Sequence, residues 1–117
     1  MMTYLSIGLR VLLTLAFVAA GGAKLLGVAM MVHTFDTIGF GQWFRYLTGA
    51  IEVGGGILLW LPGRQVLAAA LLGATMVGAT LAHLLVLGPS AMPAIVLGLI
   101  CAGIIWLHRD QLKSIMA

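Results

Sequence analysis

The chain has 117 residues, of which 62% are hydrophobic and only 8% charged, and its mean hydropathy is +1.18. So little charge cannot clothe a soluble surface, and apolar runs consume nearly the whole length, which leaves no room for a soluble catalytic module and indicates one membrane domain over 1–117. The net charge of +3 does not indicate nucleic acid, because the Lys and Arg residues are scattered and form no basic stripe with aromatic residues between them.

The first apolar run extends from about Tyr4 to Leu26, is interrupted by Arg10, and closes with Gly21, Gly22 and Lys24. A signal peptide is the rival reading, but no Lys or Arg precedes the apolar stretch and Arg10 falls inside it, so a retained helix is expected. Val28 to Gly39 is too short to span. Val28, Met31, Val32, Phe35 and Ile38 recur there at helical spacing, with His33, Thr34, Asp36 and Thr37 opposite, as in a short interfacial helix that covers the bundle mouth or lies on lipid.

The second run, Trp43 to Leu61, carries aromatic residues at both ends like interfacial anchors and Glu52 near its middle. Leu61 to Arg64 then forms a tight turn, so the second and third runs are antiparallel neighbours. The third run covers about Gln65 to Leu87, ended by Gly88, Pro89 and Ser90, and the fourth about Met92 to Leu107, with Pro93 suited to its first turn. The expected fold is an all-α, integral-membrane four-helix bundle with a short interfacial helix between its first two crossings. Both termini then lie on one side, and Arg64, Arg109 and Lys113 bias that side toward the cytoplasm.

An ionisable group at membrane depth marks a functional hypothesis, and Glu52 is that group. Projection at about 100° per residue places Arg10, Thr14, Phe17, Gly21 and Lys24 on one face of the first run. Arg45, Thr48, Gly49, Glu52, Gly55, Gly56 and Leu59 share a face of the second, and Leu72, Met76, Ala79, Thr80 and His83 a face of the third. The fourth run offers Ala94, Gly98 and Ala102 at four-residue spacing, as a packing wall. Gly21, Gly49, Gly55 and Gly56 are expected to bring helices close, because lipid supplies no hydrophobic drive for helix association. Glu52 then points into the bundle, where Arg10 has the fork geometry for a bidentate pair, and Lys24, His83, Thr48 and Thr80 border a pocket beyond it.

These residues have structural readings too: a topology-fixing ion pair for Arg10 with Glu52, a snorkelling Lys24, and a carbonyl-bonded His83. Cys101 is the sole cysteine, which excludes an intramolecular disulfide or CxxC pair and suits a small packing residue. No metal cluster is expected.

Arg10, the stretch Phe17 to Gly27 containing Gly21-Gly22-Ala23-Lys24-Leu25, the stretch Gly49-Ala50-Ile51-Glu52-Val53-Gly54-Gly55-Gly56 followed by Leu61-Pro62, and His83 together resemble the DoxX family, in particular its short DoxX-like branch. The resemblance implies a four-helix bacterial inner-membrane protein in which Lys24, Glu52, His83 and Arg10 occupy the recurring polar positions. The family is named for the small subunit of a membrane thiosulfate:quinone oxidoreductase, while most members have no assigned activity. Three functions fit this pattern: an accessory redox subunit with a pocket for a quinone headgroup or small oxyanion, a proton-coupled transporter using Glu52, or a structural assembly partner. The lipid bilayer, a redox partner protein and a second copy of the chain are the expected partners.

Overall fold

The computed structural model describes residues 2–87 and 91–116, and the side chains of 3–86 and 91–113. Among these residues the chain is all-helical. The helices are α1 (Met2–Leu26), α2 (Ala29–Ile38), α3 (Gln42–Leu58), α4 (Gln65–Ala82), α5 (Met92–Leu107) and α6 (Gln111–Met116), and a π-helical turn, His83–Leu87, prolongs α4. The break expected at Gly88–Pro89–Ser90 lies outside the described residues.

Local chemistry sets several of the ends. Gly27 adopts φ +72°, a left-handed conformation open to glycine, and there the chain closes α1 with the Gly27 N–H bonded to Lys24 O and the Val28 N–H to Ala23 O. Gly39 ends α2 in the same way at φ +87°. Pro93 lies in the first turn of α5, where its missing N–H leaves no helical bond unmade. The start of α4 is capped from a distance: Gln111 of α6 accepts from the Val66 N–H at 2.9 Å and donates to Gln65 Oε1 at 2.5 Å, which fixes α6 against the first turn of α4.

The most intimate pairing is between α1 and α3, which run antiparallel with Gly21 opposite Gly49. A Cβ added at Gly21 would lie 2.8 Å from Gly49 O, and one added at Gly49 would lie 2.9 Å from Gly21 O. Main chain therefore packs on main chain, which is how helices gain dispersion energy where no water is displaced. Helices α4 and α5 form the second close pair, and α3 on α4 and α1 on α5 complete the arrangement. Phe17, Leu13, Leu59, Leu72 and Ile104 fill the space they enclose, each fully buried.

The small-residue line of α5 turns out differently from the expectation. Ala94 is buried but Ala102 is exposed, and Cys101 and Ile104 take the inward positions. A four-residue step advances about 40° around a helix, so two steps carry Ala102 off the face, whereas the seven-residue step from Ala94 to Cys101 nearly closes.

Outward surfaces are strongly apolar. Leu15, Leu26, Val77, Leu85 and Leu99 are each more than half exposed, and such a continuous apolar exterior marks contact with lipid or protein. Thr3–Leu26 and Gln65–Val86 are long and apolar enough to cross a membrane, and Met92–Leu107 is apolar but shorter.

Candidate functional site

The register of α1 on α3 decides which cation meets Glu52. Lys24 is one helical turn beyond the Gly21 crossing, and its Nζ lies 2.6 Å from Glu52 Oε1. Glu52 is 1% exposed. Arg10 lies on the same face but eleven residues before Gly21, about 16 Å along the axis, so the expected Arg10–Glu52 pair does not form. The glycines explain the depth of the pair: with only hydrogen at positions 21 and 49, Lys24 and Glu52 start from backbones already in contact.

A second cation secures the same region. Arg45, in the first turn of α3, donates from Nε to Gln42 Oε1 at 2.7 Å and from Nη1 to Lys24 O, and its guanidinium stacks on Tyr46 at 4.3 Å. It thereby adds a second donor to a carbonyl in the last turn of α1 that also accepts from the Gly27 N–H, at a helix end whose dipole favours a cation. Arg10 performs the reciprocal task at the far end of the pair, donating to Leu59 O just past α3. Sequence reasoning counted both arginines as polar-stripe members and missed these clamps. An arginine within a turn of the opposing helix's end was the available signal.

From the ion pair a cavity of about 1110 Å³ extends between α2, α3, α4 and the π-helical turn. Its walls are mainly apolar, with Met31, Phe35, Phe44, Ile51 and Met76 prominent, while Lys24, Glu52, Thr48 and His83 supply polar groups. His83 opens the π turn, a geometry that shifts the following side chains relative to an α-helix and recurs at functional sites. The His83 Nδ1 is buried without a hydrogen-bond partner, so the expected carbonyl bond is not made by that nitrogen. The Thr48 hydroxyl donates to Phe44 O at 2.8 Å.

Helix α2 forms the cavity's cover. Its Phe35 is buried and packs edge-on against Phe44 at 5.8 Å, and Gln42 ties the helix down by donating to Val32 O and to Asp36 Oδ1. Of the two placements open to this segment, cover or lipid-lying helix, its packing on α3 and the π turn matches the cover. Thr80 is not brought into the cavity. Its hydroxyl bonds back to Met76 O, and it borders an apolar groove of about 600 Å³ between α4 and α5.

Arg10 belongs to a separate network that sequence reasoning did not foresee. Its Nε donates to Ser6 Oγ at 3.1 Å, Ser6 Oγ lies 2.6 Å from His108 Nε2, and Arg10 stacks over Trp60 at 4.7 Å. The Trp60 indole N–H donates in turn to Thr14 Oγ1 at 2.7 Å. Because Ser6 Oγ accepts from Arg10, its own proton is free to go to His108 Nε2. Burial, and then the nearby Arg10 charge, pull the His108 pKa below its ordinary value.

Helices that turn apolar side chains outward and bury a charge pair between glycine-lined backbones define a small, all-helical membrane protein. The family model described as the DoxX-like family matches residues 8–105, and the chain belongs to that family. The chain has no match among the curated proteins or among the solved structures.

Proposed function

We propose that the protein is an accessory subunit of a membrane redox system, and that its cavity receives the headgroup of a quinone-type amphiphile. The observation that carries this reading is the Lys24–Glu52 pair at 2.6 Å beside a largely apolar cavity that His83 also lines. A neutral ring with polar oxygens suits such walls better than a small oxyanion, because Glu52 already balances Lys24 and the remaining lining is mainly uncharged. Exchange of a cationic substrate on Glu52 is disfavoured for a related reason: the substrate would have to displace a lysine already ion-paired with its carboxylate at 2.6 Å.

Within this reading, Lys24 Nζ and His83 donate hydrogen bonds to the ligand's oxygens, and Glu52 holds Lys24 in place and stores or releases a proton next to them. A bound quinone supplies two-electron, two-proton redox chemistry. The electrons come from a partner or a diffusible cofactor, since a single cysteine provides no dithiol. The same proposal has α1, α3, α4 and α5 all crossing the bacterial inner membrane, with both termini in the cytoplasm.

Trp43 gives the test a local reporter, because its ring packs 5.6 Å from Phe44 of the cavity wall. With Trp60 and Trp106 replaced by Phe, titration of the reconstituted protein with a water-soluble quinone analogue is expected to quench Trp43 saturably. Glu52→Gln, Lys24→Met and His83→Ala are each expected to weaken that quenching. Saturable quenching unchanged by all three, or none in the native chain, would remove the proposal.

A further inference from the structure

Arg10 is a buried cation whose partners among the described residues are all neutral. Only 9% of its surface is exposed, and it rests on Ser6 O, Ser6 Oγ, Leu59 O and the Trp60 ring. No carboxylate contacts it among the described residues, in contrast to Lys24, which has Glu52. The last turns of α3 and α5 converge on it and their dipoles favour a positive charge, but partial charges leave its formal charge uncancelled. A guanidinium also carries more N–H groups than these acceptors use. Nη2 has no hydrogen-bond partner among the described residues and is not among the fully buried unpartnered atoms, so it is the part of the fork left for a ligand.

The position of this free edge is informative. Arg10 lies level with Leu59 and His108, the residues at which α3 and α5 end, and the turn through Pro62 and Gly63 follows at once. On a membrane-embedded chain Arg10 sits inside the Thr3–Leu26 span, in the half nearer the interface at which α3 and α5 end. Trp60, 41% exposed and stacked on Arg10, has the placement of an interfacial aromatic. Exposed Arg64 and Arg109 and the Lys113 of α6 lie at this same end, against the single acidic Asp110, so the local field attracts anions.

We infer that Arg10, walled by Trp60, Ser6 and the ends of α3 and α5, is a phosphate-binding site that takes the headgroup of an anionic phospholipid. Its unpartnered Nη2 edge and the remaining Nη1 N–H engage two phosphate oxygens side by side, the geometry in which guanidinium surpasses ammonium. Nε and the first Nη1 N–H hold the fork against Ser6 and Leu59. The site is separate from the cavity and does not depend on what the cavity binds.

The full chain in mild detergent, exchanged into mixed micelles of phosphatidylglycerol and phosphatidylcholine, tests the inference by native mass spectrometry. The native protein is expected to retain phosphatidylglycerol in preference to phosphatidylcholine. Arg10→Lys, which keeps the charge and loses the fork, is expected to reduce that preference about tenfold, the scale of one lost bidentate contact. Circular dichroism confirms that this variant is folded, and the Arg64→Gln/Lys113→Gln double variant is expected to keep the preference. Release of the lipid by millimolar inorganic phosphate would support the phosphate site and identify a soluble ion as a competing occupant. Equal retention of both lipids by the native chain would overturn the inference, as would a preference that survives Arg10→Lys and disappears in the surface double variant.

Discussion

Gly21→Ala places one methyl group at the point where α1 and α3 touch. Its Cβ would lie 2.8 Å from Gly49 O, 2.8 Å from Val53 Cγ2 and 3.0 Å from Glu52 Cβ. Even close Cα–H···O contacts have carbon–oxygen separations of about 3.3–3.6 Å, so the helices must part by about half an ångström. The carbonyl cannot rotate away as a flexible side chain would, and a gap of that size forfeits about a quarter of the dispersion energy of each atom pair along the seam. Overpacking of this kind costs about 1–3 kcal/mol. Alanine also favours a helix over glycine by about 1 kcal/mol, and Gly54→Ala on α3 isolates that gain, since nothing lies within 4 Å of its new Cβ.

The contrast between the two variants cancels the helix-propensity gain and leaves the contact cost, about 1–3 kcal/mol. Reversible unfolding in mixed micelles, followed by circular dichroism against a denaturing detergent, measures both. Gly21→Ala/Gly49→Ala adds a sharper condition. Once the helices have separated for one methyl group, the second costs little, so the double variant should be less destabilised than the sum of the singles. A Gly21→Ala chain as stable as Gly54→Ala, or strictly additive losses, would refute the account of a backbone-on-backbone seam.

The Lys24–Glu52 pair should behave as a coupled unit: Lys24→Met or Glu52→Gln alone strands a buried group and costs about 3–5 kcal/mol, while Lys24→Met/Glu52→Gln together recovers most of the loss. The same unfolding measurement checks this, and a double variant as unstable as the two singles combined would contradict a buried ion pair. His108 gives a pH dependence with a definite sign. Its pKa is depressed in the fold, so the unfolded chain binds the proton first; stability is complete above the ordinary histidine value near 6.5 and is lost as pH falls through and below it. His108→Gln should flatten this acid limb while His33→Gln leaves it intact, and an unchanged limb in His108→Gln would assign it to another group.

Much of the fold was legible in the sequence because a lipid environment makes few demands and makes them plainly. Long apolar runs, the glycines at the ends of α1 and α2, and Pro93 at the start of α5 each act through their own local backbone. The inward faces of α1 and α3 were equally readable, since helical periodicity puts Arg10, Phe17, Gly21 and Lys24 on one line whatever lies opposite. The stripe on α5 was not, because a four-residue step drifts around the helix and burial of Cys101 in place of Ala102 is settled by what α4 presents. The π turn at His83 left no mark that periodicity detects.

The sequence alone determined that this is a helical membrane chain, that its second apolar run must shelter an acid, and that glycines would bring helices together around it. Only the tertiary structure decided which base that acid meets. The axial offset of α1 on α3, set where Gly21 and Gly49 allow main chain to touch main chain, brings Lys24 to Glu52 and sends Arg10 to Ser6, Trp60 and His108 at the opposite end. Two helices with correct faces can slide along each other by a turn or more without changing which residues point inward, so the partner of each charge is a property of the contact and not of either strand of sequence.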